Sequence, residues 1–281
     1  MHPRSDTGVL VQSGVPWTAA RRKRAQLLLD FIRDRGEVHP RDVNARFSHG
    51  KVKNYWGGSS NTTTHLMDAM HYQGILRVVR RESGTRIYAA HEHGAAPIDE
   101  GERRARIDQL VDIAVRIYAP LPGKSLVSLV RALRFATPQW QNELAPALHR
   151  AKERLTHARI ESIDWYWPAE ADPARSRIQD HVRLLTPFDP IVWDRRRFEL
   201  LWGWVYRFEA YTPVHKRKRG YYAMPLLWRD RVIGWANLSV DKGQLKSEFG
   251  YVKSEPRDRA FRSELELELN RLRVFMGIAA V

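Results

Sequence analysis

Between residues 20 and 88 the apolar spacing changes period once, from helical to alternating, and that change restricts the fold more than any other feature of the chain. Leu27, Leu28, Phe31 and Ile32 share one helical face, and Arg33, Asp34, Arg35 and Gly36 supply a basic last turn and a terminating glycine. A second short helix fits 40–47, with Pro40 in its first turn and Val43 and Phe47 facing inward. A turn-rich stretch, 50–58, leads to Ser59 and Ser60, either of which can cap a third helix running to about Gln73, where Gly74 ends it. Alternation then takes over through 75–81, breaks at Ser83 and Gly84, and resumes at Arg86, Ile87 and Tyr88, as a β-hairpin requires. Three short helices and a two-stranded wing predict a winged helix-turn-helix, whose third helix enters the major groove while the wing follows the flanking backbone.

The remaining segments arrange themselves around that unit. Residues 1–19 carry no sustained period and read as a leader before a winged helix-turn-helix over 20–91. A small, polar linker follows over 91–101. Helical patterns at 103–118, 126–133 and 138–157 and a β-like tail at 160–167 then repeat the order, predicting a second winged-helix-like unit over 102–168 with a shortened or eroded hairpin. From 182 to 281 the texture is β-rich, with runs at 221–228 and 232–240 around a turn at Arg229, Asp230 and Arg231, predicting a sheet or barrel. Phe261, Leu265, Leu269, Leu272 and Phe275 share one face of a terminal helix over 257–275. The fold class expected is α+β: tandem winged helix-turn-helix units, then a barrel-like β-rich module with a terminal helix.

Charge indicates the partner. With 47 Lys and Arg against 32 Asp and Glu, the net charge of +15 repels itself in a compact fold, and a phosphate backbone relieves that repulsion while releasing counterions. Double-stranded DNA is the partner expected, with no membrane and no obligate protein partner. No apolar run approaches the ~18 residues of a spanning helix, and cysteine is absent, so the location expected is cytoplasmic and nucleoid-associated. His91 and His93 lie two apart, and His65 and His71 six apart; neither spacing closes a metal site, so no metal or cofactor is expected.

Candidate DNA-binding residues gather in two places. Asn61, Thr62, Thr63 and His65 open the third helix, where short polar groups suit phosphates and base edges, although an ordinary capped, solvated helix start reads equally well. The preceding loop adds Lys51, Lys53, Asn54 and Trp56, the last a candidate for stacking on an extruded base, and the wing adds Arg77, Arg80, Arg81 and Arg86. Farther along, Lys216, Arg217, Lys218 and Arg219 form the densest basic cluster, a candidate backbone clamp that Arg195, Arg196 and Arg197 either extend or leave to solvent and to Glu199 and Glu209. Asp189 and Asp194 flank a Pro-rich turn, and helix capping is favoured over a catalytic role for both.

Residues 185–197, reading Leu-Thr-Pro-Phe-Asp-Pro-Ile-Val-Trp-Asp-Arg-Arg-Arg, resemble the C-terminal signature of the YcaQ/AlkZ family of winged-helix DNA glycosylases, as do 206–213 and 218–222. A weaker likeness runs back through Tyr55, Trp56 and Gly57 and through Arg86, Ile87 and Tyr88. The resemblance implies three tandem winged helices around a β-barrel-like domain, and excision of alkylated bases or unhooking of interstrand crosslinks without a metal. The family's Gln-x-Asp or Gln-x-Gln motif belongs to a first winged unit not found here, so the expectation is a chain that begins late or has diverged. Gln139, Trp140 and Gln141 spell that motif in the second unit, where a helix start with Trp140 buried and two solvated amides reads better. Two functions therefore stand: a DNA glycosylase, and a non-catalytic winged-helix binder, either a regulator or a damage-recognition relative.

Overall fold

A helix is held when its apolar residues form one stripe, and Ala25, Leu28, Leu29 and Ile32 do so at i, i+3, i+4 and i+7 along α1 (Ala19–Arg35). The computed structural model describes residues 17–47, 50–53, 59–92, 99–172 and 177–278. The buried stripe is rotated from the expected one, leaving Leu27 exposed and Phe31 half-buried, edge-on to Phe47 at 5.3 Å. Next come β1 (Glu37–Val38) and α2 (Pro40–Arg46), whose start is capped by the His39 Nδ1 accepting from the Arg41 N–H at 2.9 Å. A short antiparallel ribbon, β2 (Lys51–Lys53) and β3 (Ser59–Asn61), precedes α3 (Thr62–Tyr72). Ser59 and Ser60 are therefore strand residues rather than caps, and Asn61 takes that role by accepting from the Thr63 N–H at 3.0 Å.

The hairpin expected as a wing forms from β4 (Leu76–Glu82) and β5 (Thr85–Ala90), joined by Ser83 and Gly84 at φ 45° and 81°, the left-handed pair that a tight hairpin needs. Its sheet runs β1-β5-β4, and Leu28, Ile32, Val43, Met67, Met70 and Tyr88 close the core beneath it.

The same order of elements recurs. α4 (Glu100–Tyr118), β6 (Leu121–Pro122), α5 (Gly123–Ala132), α6 (Leu144–Arg154), β7 (Thr156–Ile160) and β8 (Ile163–Trp167) follow, with sheet order β6-β8-β7, matching β1-β5-β4 position for position. The helix expected over 138–157 is broken: Pro138–Glu143 forms a 3-10 turn, and the chain is extended from Thr156. The hairpin is shortened rather than eroded: five residues per strand, against seven and six in β4 and β5, pair in register from Thr156↔Trp167 to Ile160↔Ile163. Its turn uses Glu161 and Ser162 at φ 48° and 64°, so the residues that usually announce such a turn are missing.

The last segment contains β9 (Val182–Leu184), α7 (Pro190–Trp193), α8 (Arg195–Trp202), β10 (Met224–Trp228), β11 (Arg231–Asp241), β12 (Gln244–Tyr251) and α9 (Arg259–Phe275). The antiparallel sheet runs β12-β11-β10-β9 and is open, with β9 and β12 as its edges, so the barrel-like expectation is corrected. Phe261 and Leu269 of α9 pack on Val182, Leu226, Trp228 and Ala236, so a helix covers the apolar face and closure is unnecessary. Phe275, expected on that inner face, is exposed at the helix end. The chain divides into two compact units, residues 1–111 with 128–150 and residues 112–127 with 151–281.

Candidate nucleic-acid interface

At the start of α3, three polar residues are used internally. Asn61 is the cap, and the Thr62 hydroxyl donates to the Gly50 carbonyl at 2.9 Å. Thr63 is completely buried and its hydroxyl donates to the Phe47 carbonyl; it ties α3 to the end of α2 and offers no surface, which removes it from the residues expected to meet DNA. His65 is exposed. Lys51 and Lys53 place their backbone in β2 opposite Asn61 and Ser59, whereas Asn54 and Trp56 lie outside the described residues.

Of the four hairpin cations Arg77, Arg80, Arg81 and Arg86, two, Arg80 and Arg86, pair with acids. Arg80 bridges Glu37 and Glu82, the latter at 2.7 Å. Arg86 donates to Asp68 of α3 at 3.0 Å, and the Tyr88 hydroxyl donates to the same oxygen at 2.7 Å, so one carboxylate ties the wing to the helix. Burial, then the bond to Asp68, pushes the Tyr88 hydroxyl up to about 12. Arg81 donates to the Gly84 carbonyl at 3.1 Å, bracing the hairpin turn. Partly exposed pairs of this kind contribute little stability, yet they reduce the positive charge the wing presents.

The Pro-rich turn of residues 187–190 shows how buried arginine can be structural. Asp189 caps α7 by accepting from the Ile191 N–H at 2.9 Å, and Asp194 caps α8 through the N–H groups of Arg196 at 3.1 Å and Arg197 at 3.0 Å. Arg195 donates to the carbonyls of Val192 at 2.7 Å and Pro187 at 2.9 Å while lying over the Tyr206 ring at 4.5 Å. Arg197 is buried and donates to the carbonyls of Tyr118 and Pro190. Burial lowers the pKa of both guanidinium groups. They brace the backbone, so neither extends a surface clamp nor pairs with Glu199 or Glu209; Arg196 alone of the three is exposed.

The basic cluster is organised by a residue that sequence reasoning assigned no such role. Glu209, 7% exposed, accepts three successive backbone N–H groups on one oxygen: Lys218 at 2.9 Å, Arg219 at 2.8 Å and Gly220 at 3.3 Å. Burial alone would raise its carboxyl, but those bonds and the nearby Arg219 charge outweigh it and hold the group below its ordinary value. The one available signal was that Glu209 is the sole acid between residues 200 and 229. Gly220 sits at φ 128°, and a side chain there would clash with the Asn237 amide.

With the backbone fixed, the four cations divide. Lys216 and Lys218 are exposed. Arg217 donates to the Thr212 carbonyl at 2.8 Å and lies over Tyr221 at 5.1 Å. Arg219 lies over Trp204 at 5.1 Å and Trp235 at 5.3 Å, and its carbonyl accepts from the Asn237 amide at 2.6 Å.

Gln139 and Gln141 are both exposed on the 3-10 turn, and Trp140 between them is half-buried at φ −115° rather than enclosed in a helix start. Among the described residues, no three His, Asp or Glu converge as a metal would require, and no helix is long and apolar enough to cross a membrane. The family model described as DNA glycosylase AlkZ-like matches residues 1–275 of the chain. No solved structure matches it.

Proposed function

This chain belongs to the AlkZ-like DNA glycosylase family, and from that premise we propose that it hydrolyses the N-glycosidic bond of alkylated bases in duplex DNA, including those joined as interstrand crosslinks. In this reading two tandem winged-helix units, 20–91 and 102–168, and a C-terminal module, 182–281, form the DNA-holding body, and the protein acts with chromosomal DNA in the cell. The repeated helix-strand-helix-helix-strand-strand order supports the tandem assignment. The observation that carries the DNA contact is the loop braced by Glu209, which turns Lys216 and Lys218 outward. His65, Arg77 and Arg81 supply further contacts from the first unit.

The chemistry asks little of the protein. Alkylation at a purine ring nitrogen leaves the base cationic, so it departs readily while water attacks the anomeric carbon; the protein holds the DNA and stabilises the sugar cation. The reading involves no metal and no cofactor.

A second reading, a damage-recognition protein without catalysis, is favoured by one observation: Gln139 and Gln141, which spell the family's motif, are solvent-exposed on a short turn. Incubating the protein with a duplex containing 7-methylguanine separates the two. Release of the free base, unaltered in Gln139→Ala and Gln141→Ala, supports the hydrolase. Salt-sensitive binding without any release supports the binder.

A further inference from the structure

Next to the basic loop lies an aromatic cluster that the duplex-binding role leaves unexplained. Phe208, half-buried, sits at its centre, with Phe188 at 5.3 Å, Tyr222 at 5.4 Å and Tyr211 at 6.2 Å, all edge-to-face. The outer three rings are 64%, 40% and 84% exposed, respectively. Core formation does not account for such a shelf, because its outer rings face water, and clustered exposed rings mark an interaction site.

Charge selects the occupant. Residues 210–222 contain Lys216, Arg217, Lys218 and Arg219 and no acid, while Glu209 beside them is buried, with one oxygen held by three backbone N–H groups. A partner must therefore be a polyanion that also carries flat apolar faces. Unpaired nucleotides have both features, whereas a duplex keeps its base faces stacked away from solvent.

We infer that the shelf of Phe188, Tyr211 and Tyr222 stacks unpaired DNA bases while Lys216 and Lys218 hold the adjoining phosphates. The inference rests on the reading that this loop meets DNA, and adds that one face of it takes a strand whose bases have left the helix. Tyr211, the most exposed of the rings, is the leading edge; Arg217 over Tyr221 extends the cationic side.

The test compares a fluorescent oligothymidylate with an abasic oligodeoxyribose phosphate of equal length, by anisotropy, on the full chain. The abasic probe reads phosphate contacts alone, so the ratio of the two affinities isolates stacking. The expected result is a preference of about tenfold for oligothymidylate, abolished in a Phe188→Ala, Tyr211→Ala double variant and retained in Tyr211→Phe, which keeps the ring. Both alanine positions are surface-exposed, and a circular dichroism spectrum matching wild type confirms that the ratio is read on folded protein. Equal affinity of wild type for the two probes would overturn the inference, as would a preference that survives the double variant. So would loss of binding to phosphatidylserine vesicles, rather than to oligothymidylate, in that variant. Absence of duplex binding with the oligothymidylate preference intact would remove the proposed function and leave the shelf standing.

Discussion

In the wing the carboxylates of Glu37, Glu82 and Asp68 meet guanidinium groups, whereas in the loop of residues 214–222 the carboxylate of Glu209 meets backbone N–H groups instead. Both regions read as basic in sequence, yet their charges are disposed differently. Pairing acid with cation neutralises Arg80 and Arg86 and ties the hairpin to α3 through Asp68. Pairing acid with backbone fixes the loop's path and leaves its lysines facing solvent. A count of positive residues therefore measures capacity for DNA, and the partners of nearby acids determine how much of it is presented.

The largest effect expected is at Glu209. Replacing it with alanine removes the acceptor of three partly buried N–H groups, which should cost about 2 to 3 kcal/mol in urea unfolding and weaken duplex binding about tenfold as the loop loses its path. Asp68→Ala sharpens the contrast: loss of the bonds from Arg86 and Tyr88 should cost about 2 kcal/mol, yet duplex binding should hold or tighten, because Arg86 is released. Parallel losses of affinity in the two variants would erase the distinction between the regions.

A smaller effect appears in pH. The Glu209 carboxyl titrates below its ordinary value of 4.5 when folded, so its contribution is fully present above that value and is lost as pH falls through the folded value. Acid unfolding of Glu209→Gln should lack this component. On the alkaline side two buried tyrosines are raised from 10 to about 12, mainly by burial: Tyr88 in the hairpin, and Tyr206, whose hydroxyl donates to the Ala223 carbonyl just past the loop. Their contribution is present below pH 10 and is lost as pH rises towards 12, and Tyr88→Phe or Tyr206→Phe should each flatten the alkaline limb of a stability profile. Smallest is Arg80→Ala, whose half-exposed ion pairs predict under ~0.5 kcal/mol of destabilisation in the same unfolding assay.

How far the sequence revealed these features depended on whether a feature leaves a local pattern. The β4–β5 hairpin was legible because Gly84 marks a turn requiring positive φ, while β7–β8 was underestimated because Glu161 and Ser162 make an equivalent turn without such a mark. Asp189 and Asp194 were readable as caps since a cap acts on residues two or three positions away. Alternation in the C-terminal strands indicated a sheet but says nothing of closure, and α9 covers the face that a barrel would have enclosed. Phe275 and Leu27 satisfied helical spacing yet lie outside the packed face, because spacing defines a stripe without locating its borders. The family resemblance is strongest over residues 185–240, where Arg195 and Arg197 brace backbone, so a specific signature there reflects architecture as much as contact. Glu209 was opaque because a carboxylate bonded to a backbone nine to eleven residues ahead follows no periodic spacing.

The most direct test is the salt dependence of duplex binding, measured as the slope of log affinity against log salt concentration. A Lys216→Ala, Lys218→Ala double variant should lower the steepness of that slope by roughly 2, about 0.9 for each phosphate no longer neutralised, while Arg80→Ala, Arg86→Ala should leave it unchanged. A slope unaltered in the lysine variant and reduced in the arginine variant would contradict the claim that the Glu209-braced loop, rather than the paired wing, presents the charge that binds DNA.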